Sequence, residues 1–200
     1  MSKLSAAFYQ RDDVLLISRE LLGKVLYTNF HGKLTSGIIV ETEAYAGVTD
    51  KASHAYGGRR TKRTETMYAS GGIAYVYLCY GIHHLFNIVT NKDNIPHAVL
   101  IRAIRPLDGI DIMLQRRNKK KVDQSLTAGP GSLTRALGIT VEDSGTLLID
   151  NILWLEDQNI QIKNQDILAS PRVGVQYAGK DASNPWRFQI ENSPWVSPAS

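Results

Sequence analysis

Two carboxylates lie close together in the apolar segment Ile38–Tyr45. Successive side chains of a β-strand point to opposite faces, so Glu41, Glu43 and Tyr45 are predicted to share one face. The same alternation adds Ile39 to that face. A carboxylate beside an aromatic ring can serve as a general base, although a solvated polar face would show the same pattern.

The segment that follows this strand favours the chemical interpretation over the solvated face. His54 supplies a titratable ring within a short reach, and Gly57-Gly58-Arg59-Arg60 forms a glycine-rich basic loop. We therefore treat the strand and this loop as parts of one candidate site.

Tyrosines dominate a second segment, residues 75–81. Tyr75 and Tyr77 share a strand face, where tyrosine commonly packs at the edge of a core. Tyr80 begins a tight turn, and a turn tip cannot bury a ring within its own domain. A ring exposed there, beside basic loops, could wedge into a base stack.

Two further polar residues interrupt apolar strands. Arg102 is predicted to share a strand face with Leu100 and Ile104, where an unpaired charge is costly. It requires an acidic partner or a ligand, and a purely structural salt bridge would satisfy it. Asn87 poses a milder form of the same question, because a buried amide must find hydrogen bonds.

The charge distribution favours an anionic partner. The formal net charge is +4 and the isoelectric point is about 9.1. Two clusters, at residues 59–63 and 116–121, are dense enough to neutralise several phosphates, although a solvated loop is the alternative for each. The residues expected to contact a DNA backbone are Arg59, Arg60, Lys62 and Arg63.

The elements that must position these residues are predicted from hydrophobic periodicity. Helices are predicted over residues 11–22, 109–117 and 132–137, with Ser132 as the N-cap of the last. A turn is predicted near His31-Gly32. The predicted strands span residues 25–28, 34–45, 73–79, 84–89, 98–104, 146–154 and 187–190. These elements predict an α+β fold, a single mixed domain over residues 1–200. We expect a mainly antiparallel curved sheet with surrounding helices and a protruding β-hairpin.

Composition excludes several classes of protein. No apolar run is long enough to span a membrane, and the first residues are too polar for a signal peptide, so a cytoplasmic location is expected. The single Cys79 can form neither an internal disulfide nor a cysteine-rich metal site. His83 and His84 are adjacent in a strand and point to opposite faces, so no metal site is predicted.

The chain resembles the alkyladenine (3-methyladenine) DNA glycosylases, a family first described in mammals, and its short N-terminus is similar to that of bacterial members. The resemblance covers nearly the whole chain. The motifs that carry it are Val40-Glu41-Thr42-Glu43-Ala44-Tyr45, His54 with Gly57-Gly58-Arg59, Tyr75-Val76-Tyr77 with Tyr80-Gly81, Asn87, Leu100-Ile101-Arg102-Ala103, Gly129-Pro130-Gly131, Arg172-Val173-Gly174-Val175 and Ser193-Pro194-Trp195-Val196-Ser197.

The resemblance implies a monofunctional hydrolase of base excision repair that flips an alkylated or deaminated purine out of duplex DNA. Glu43 resembles the general base that activates water, with Arg102 and the backbone carbonyl of Val173 helping to hold it. Glu41, deeper in the strand, is expected to brace a basic partner. The family works as a monomer without metal or cofactor, so double-stranded DNA containing damaged purines is the implied partner and the bacterial nucleoid the implied place of action.

The resemblance also assigns the base pocket. Tyr45 and Tyr77 resemble rings that sandwich the flipped base, and His54 resembles a residue that contacts its edge and sugar side. Asn87 resembles an amide that screens purines by their exocyclic group. Tyr80 resembles the residue that fills the hole left in the duplex.

Two rival functions follow from the same residues. A non-catalytic nucleic-acid-binding module would explain the basic clusters and tyrosines but would not explain the pairing of Glu43 with Arg102. A glycosylase that also nicks the strand needs a Schiff-base lysine, and no lysine falls within the motifs.

Overall fold

The computed structural model describes residues 2–198, and its central feature is one antiparallel sheet of nine strands. The strand order is β1-β7-β2-β3-β6-β5-β4, while β9 pairs with β3 and with β8. The strands are β1 Ser2–Lys3, β2 Val25–Phe30, β3 Lys33–Tyr45, β4 Ala74–Cys79, β5 His83–Thr90, β6 His97–Pro106, β7 Leu153–Asp157, β8 Ile167–Ser170 and β9 Arg187–Ile190. The predicted α+β class is confirmed.

Four α-helices pack around this sheet: α1 Ala6–Tyr9, α2 Val14–Glu20, α3 Ile110–Arg117 and α4 Pro130–Leu137. Short 3-10 turns fill much of the chain between β3 and β4. The main core lies between one sheet face and helices α2, α3 and α4, where Ile17, Met113 and Leu133 are fully buried. No helix in the described part of the chain is long and apolar enough to cross a bilayer.

Strand β3 organises the sheet because it borders three others. Along one edge its first half pairs with β2 and residues 41–43 pair with β9. Its other edge pairs with β6 over residues 37–45. A strand bordered on both sides is shielded from water, and every residue from Thr35 to Ala44 is buried.

The pairing of β3 with β6 is interrupted by two bulges. Val40 and Arg102 are skipped in the register, which runs Ile39↔Ile104, Glu41↔Ala103 and Thr42↔Ile101. A bulge shifts the alternation of side chains by one residue. Ile39 and Ile104 therefore face the main core, and the predictions that Ile39 shares a face with Glu43, and Ile104 with Arg102, are wrong.

Tight turns close the two hairpins. Between β2 and β3, His31 and Gly32 both have positive φ, 55° and 73°, as a two-residue hairpin turn requires. The predicted turn at His31-Gly32 is confirmed. The β4–β5 loop is Tyr80-Gly81-Ile82, and Tyr80 itself has a φ of 50°.

Three predicted element boundaries are wrong. Helix α2 is shorter than residues 11–22, because the Asp13 side chain accepts a hydrogen bond from Leu16 N at 2.9 Å and caps its start. Ser132 is not an N-cap: α4 begins at Pro130, whose fixed φ and missing N–H suit the first helical position. Residues 146–152 form no strand: apart from one isolated bridge between Leu147 and Ile73 they lie in turns and bends before β7, which is consistent with the turn preference of Asp150 and Asn151.

Candidate active site

Glu43 lies at the centre of a buried hydrogen-bond network. It is fully buried. Its Oε2 accepts a hydrogen bond from the Tyr45 hydroxyl at 2.7 Å, and its Oε1 accepts one from the backbone N–H of Val173 at 2.8 Å. Arg102 Nη1 lies 3.2 Å from the same Oε1. All these donors stabilise the ionised carboxylate.

The sequence analysis assigned a role to the backbone carbonyl of Val173, but a different backbone group of this residue contacts Glu43. The amide nitrogen, and not the carbonyl, makes the hydrogen bond. Residues 173–175 follow β8 in a turn in which Gly174 has a φ of 72°, and this turn directs the Val173 N–H at β3. A resemblance in sequence identifies the residue but not which of its backbone groups points inward.

Glu41 braces the neighbouring cations instead of facing open space. Its Oε1 accepts hydrogen bonds from Arg102 Nε at 2.8 Å and from Arg187 Nε at 2.7 Å. The backbone N–H of Ser197 donates to its Oε2 at 2.7 Å, and the Ser197 hydroxyl donates to Oε1 at 2.9 Å. With four donors bound, Glu41 has little capacity left for a water molecule.

The buried cluster is balanced in charge. Glu41 and Glu43 face the guanidinium groups of Arg102 and Arg187, and all four side chains are at most 7% exposed. Burial lowers the pKa of Arg102, but Glu43 and Glu41 outweigh burial, so its pKa is raised above the ordinary value. The guanidinium therefore stays charged and holds both carboxylates.

A second buried ion pair fixes the position of Tyr45. Arg172 forms a bidentate contact with Asp50, at 2.5 Å and 2.9 Å, and donates to the carbonyl of Ala44. Its guanidinium lies 4.8 Å from the centre of the Tyr45 ring and 5.0 Å from that of Trp186. The ring of Tyr45 is thus held between Arg172 and the hydroxyl contact with Glu43.

An aromatic cavity of about 630 Å³ opens in front of this network. Tyr45, Tyr77, Arg102 and Val173 form part of its wall, whereas Glu43 lies directly behind them. The cavity is large enough for a purine, which presents two flat faces and a polar edge.

His54 is locked in place at the side of this cavity. Its ring lies 4.6 Å from the Tyr77 ring, nearly edge to face, and its Nδ1 is 2.9 Å from the Tyr75 hydroxyl. Burial, followed by the charges of Arg63 and Arg59, lowers the pKa of His54 to about 4. At neutral pH the imidazole is therefore uncharged and offers one donor and one acceptor nitrogen.

Asn87 is buried in the floor of the cavity beside the tyrosines. Its Nδ2 donates to the backbone carbonyls of Tyr75, at 3.1 Å, and Leu85, at 3.3 Å. Both amide hydrogens are used, so the Oδ1 is the atom that remains to contact a ligand. This oxygen accepts hydrogen bonds and has none to donate.

The four residues predicted to contact a DNA backbone do not act alike. Arg59 and Lys62 are exposed. Arg60 is exposed but forms a bidentate pair with Glu65, at 2.9 Å and 2.6 Å. Arg63 is exposed as well, but its guanidinium lies 4.8 Å from the centre of the Tyr77 ring and lines the cavity.

Tyr80 stands out from the surface next to the cavity. It is 91% exposed at the tip of the β4–β5 hairpin, and its neighbour Ile82 is 70% exposed. Tyr80 also lines the cavity mouth. The structure thus brings together all predicted site residues except Arg59, Arg60 and Lys62, which flank the cavity on the loop at residues 56–65.

Sequence reasoning missed several members of the network: Asp50 and Arg187 had no assigned role, and Arg172 and Ser197 appeared only within motifs. Arg172, Arg187 and Ser197 come from segments far along the chain from β3, whereas Asp50 lies in the turns that directly follow that strand. The one usable signal was a charged residue opening the short apolar strand at Arg187. Within residues 2–198, no group of three or more His, Cys, Asp or Glu side chains could hold a metal ion.

Comparisons with known proteins agree with this arrangement. The family described as methylpurine-DNA glycosylase (MPG) matches residues 7–194. A Chlamydia felis protein assigned the name 3-methyladenine DNA glycosylase is 49% identical over 188 residues, which cover 94% of this chain and 95% of that protein. Proteins with the same assigned name from Desulfitobacterium hafniense and Bacillus cereus are 44% and 47% identical; the matches cover 98% and 96% of this chain, and 99% and 97% of those proteins. The chain therefore belongs to the methylpurine-DNA glycosylase family and is a DNA glycosylase, a hydrolase that acts on N-glycosyl bonds.

Proposed function

We propose that this enzyme acts as a monomer on double-stranded DNA, flips an alkylated purine such as 3-methyladenine into the aromatic cavity, and releases it with a water molecule activated by Glu43. The observation that carries the proposal is that three residues in the wall of a purine-sized cavity, Tyr45, Val173 and Arg102, bind the fully buried carboxylate of Glu43. The assigned names of the relatives supply the substrate class.

Base flipping is the first step of this proposal. Removing a nucleotide from the duplex costs a few kcal/mol, and least at a damaged or mismatched pair. The exposed Tyr80 ring would fill the vacated space and recover part of that cost. Stacking on aromatic rings contributes about 1–3 kcal/mol per base, and Tyr45 and Tyr77 are two of the rings that line the cavity.

Water attack is the second step. The water oxygen forms a bond to C1′ of the sugar, the C1′–N bond breaks with its electron pair leaving on the purine, and the water proton passes to Glu43. Oε1 of Glu43 is saturated by Val173 and Arg102. Oε2 binds only the Tyr45 hydroxyl and retains a free lone pair, so the water would bind there.

The charge of the substrate explains how one carboxylate suffices. A purine alkylated at N3 or N7 already carries positive charge and leaves without being protonated, while the nearby carboxylate stabilises the oxocarbenium-like sugar. A deaminated purine such as hypoxanthine is neutral and needs a proton donor. Because the low pKa of His54 keeps it uncharged, it cannot serve as a strong acid at neutral pH. We therefore propose that the enzyme prefers cationic lesions to neutral ones.

The residues that line the cavity argue against the alternative function, a glycosylase that also nicks the strand. No lysine lines the cavity among residues 2–198; Lys51 and Lys62, each adjacent in sequence to a lining residue, are exposed and are not part of its wall. Schiff-base formation requires a lysine amine at C1′. We accordingly propose hydrolysis alone, with borohydride trapping of a DNA adduct as the result that would contradict it.

The Glu43→Gln variant tests the catalytic proposal. Glutamine keeps the shape of the side chain but cannot accept a proton, so the variant should bind a lesion duplex normally and lose about 10²–10⁴-fold in single-turnover base release. Glu41→Gln is the matched control two residues away, and its effect should be on thermal unfolding. A nearly parental rate for Glu43→Gln would overturn the assignment, and no base release by the parent enzyme would favour a non-catalytic binding module.

A further inference from the structure

A basic groove lies beside the aromatic cavity and shares a wall with it. His83, Gly131 and Ser132 border both spaces. The groove, which we call the α3–α4 groove, has a volume of about 630 Å³ and is further lined by Arg116, Arg117 and Arg135 together with residues 82, 84, 134 and 138–140. The cavity and the groove therefore lie on either side of the start of β5.

The three arginines of the groove have no acidic partner. Among residues 2–198, no carboxylate is within salt-bridge distance of Arg116, Arg117 or Arg135. Asp123, which lies near enough to influence Arg117, is itself paired with Lys119 at 2.9 Å. The resulting patch carries concentrated positive charge and attracts anions.

The contacts that these arginines do make hold the patch in shape. Arg135 Nε donates to the carbonyl of Arg116 at 3.0 Å, and Arg116 Nη1 donates to the carbonyl of Ala136 at 3.2 Å. Arg117 Nη2 donates to the Ser132 hydroxyl oxygen at 3.1 Å. Since that oxygen acts as acceptor, the Ser132 hydrogen is free to be donated to an anion. The patch is thus preorganised by neutral partners.

We propose that the α3–α4 groove binds the phosphate backbone of the same duplex whose damaged nucleotide enters the aromatic cavity. This inference rests on the proposed function. The exposed hairpin tip lies between the two spaces, because Tyr80 lines the cavity and Ile82 lines the groove. A duplex wedged by Tyr80 would extend past Ile82 along the groove, and because it carries a charge for every ~1.7 Å of its axis, it would present phosphates to the groove arginines.

The salt dependence of DNA binding tests the groove. Arg135 is exposed on α4, and Arg135→Gln should lower the slope of log K against log salt by about 0.9, the value for one phosphate contact. Arg135→Lys should keep the parental slope because it keeps the charge. Lys163→Gln, which removes one exposed charge outside both spaces, is the matched control. An unchanged slope for Arg135→Gln in a folded protein would overturn the proposal.

Truncated duplexes locate the contact. The loss of affinity in Arg135→Gln should disappear when the lesion duplex is cut to two base pairs on one flank and persist when the other flank is cut. If Arg135→Gln lost the same affinity for every duplex, the groove would not be a DNA site. The same conclusion would follow if the variant lost affinity for polyglutamate but not for DNA. Single-turnover base release by the parent enzyme is the separate readout of the proposed function: its absence would contradict that function while leaving the binding result intact.

Discussion

At the scale of single residues, the site separates two carboxylates that the sequence makes alike. Glu41 and Glu43 are two positions apart and both are fully buried. Glu41 is saturated by Arg102, Arg187 and Ser197, whereas Glu43 keeps one free acceptor position beside the Tyr45 hydroxyl. Burying an ion pair gives little net stability, but removing one partner leaves a costly unpaired charge. The buried ion pairs therefore hold Glu43 in place, but substitution of one charged partner is expected to destabilise the fold.

The uncharged state of His54 leads to a prediction about acid stability. Its pKa falls from 6.5 in the unfolded chain to about 4 in the fold, so between these values the unfolded state binds the extra proton. The free energy of unfolding should decrease as the pH falls through this window, by up to about 1.4 kcal/mol per pH unit. Above pH 6.5 this contribution should be constant.

Urea unfolding of the parent and of His54→Asn between pH 4.5 and 7.5 measures the contribution. The difference between the two curves isolates His54 from His97, whose pKa burial also lowers. Arg63→Gln should raise the pKa of His54, because it removes a neighbouring positive charge; imidazole NMR shifts report this directly. A His54 pKa near its ordinary value in the parent would contradict the prediction.

Residue-scale prediction succeeded where chemistry is local. The shared face of Glu41, Glu43 and Tyr45 follows from strand alternation, and the exposed Tyr80 follows from the turn. Arg63 was expected on the DNA backbone, and that role stays a prediction; its contact with Tyr77 was missed, because a loop without periodicity gives no information about which way a side chain points. Arg187 and Ser197 were missed because their partner Glu41 is separated from them by 146 and 156 residues.

At the scale of elements, the bulges and the β4–β5 hairpin shape the site. The bulges at Val40 and Arg102 turn Arg102 toward both carboxylates while Ile39 and Ile104 stay in the core. No residue type indicates a bulge at these positions, so the period-two pattern predicted the strands but assigned Ile39 and Ile104 to the wrong face. The hairpin, in contrast, was predictable from its glycine and its flanking alternation.

The hairpin tip provides the prediction at this scale. Tyr80→Ser removes an exposed ring at a position already held at a positive φ, so the fold should be unaffected. Binding to a lesion duplex should weaken by a few kcal/mol more than binding to undamaged duplex, because nothing then compensates the unstacking. Titrations with both duplexes measure the difference, with Ile152→Ser as a control for loss of an exposed apolar side chain. Equal weakening for both duplexes would exclude a wedge role.

At the scale of the whole molecule, one face concentrates the features that a DNA partner requires. The aromatic cavity, the exposed hairpin tip and the α3–α4 groove are contiguous, since His83, Gly131 and Ser132 border both spaces. The fold class and the antiparallel sheet were predictable from periodicity, whereas the groove was visible in the sequence only as a cluster of charges. The shape of the groove depends on how α3 and α4 pack against each other, and periodicity does not specify this packing.

One edge of β3 pairs with two strands, β2 and β9, and this arrangement affects when the enzyme becomes active during folding. The first half of that edge is filled by β2, its immediate neighbour in the chain, but the half that carries Glu41 and Glu43 waits for β9. Contacts across long loops form late because closing the loop is entropically unfavourable. In refolding from urea, far-UV circular dichroism should recover before base release, and the fluorescence of Trp186, beside Arg172, should recover with activity. Simultaneous recovery of all signals would show that the carboxylate pair is assembled with the rest of the sheet.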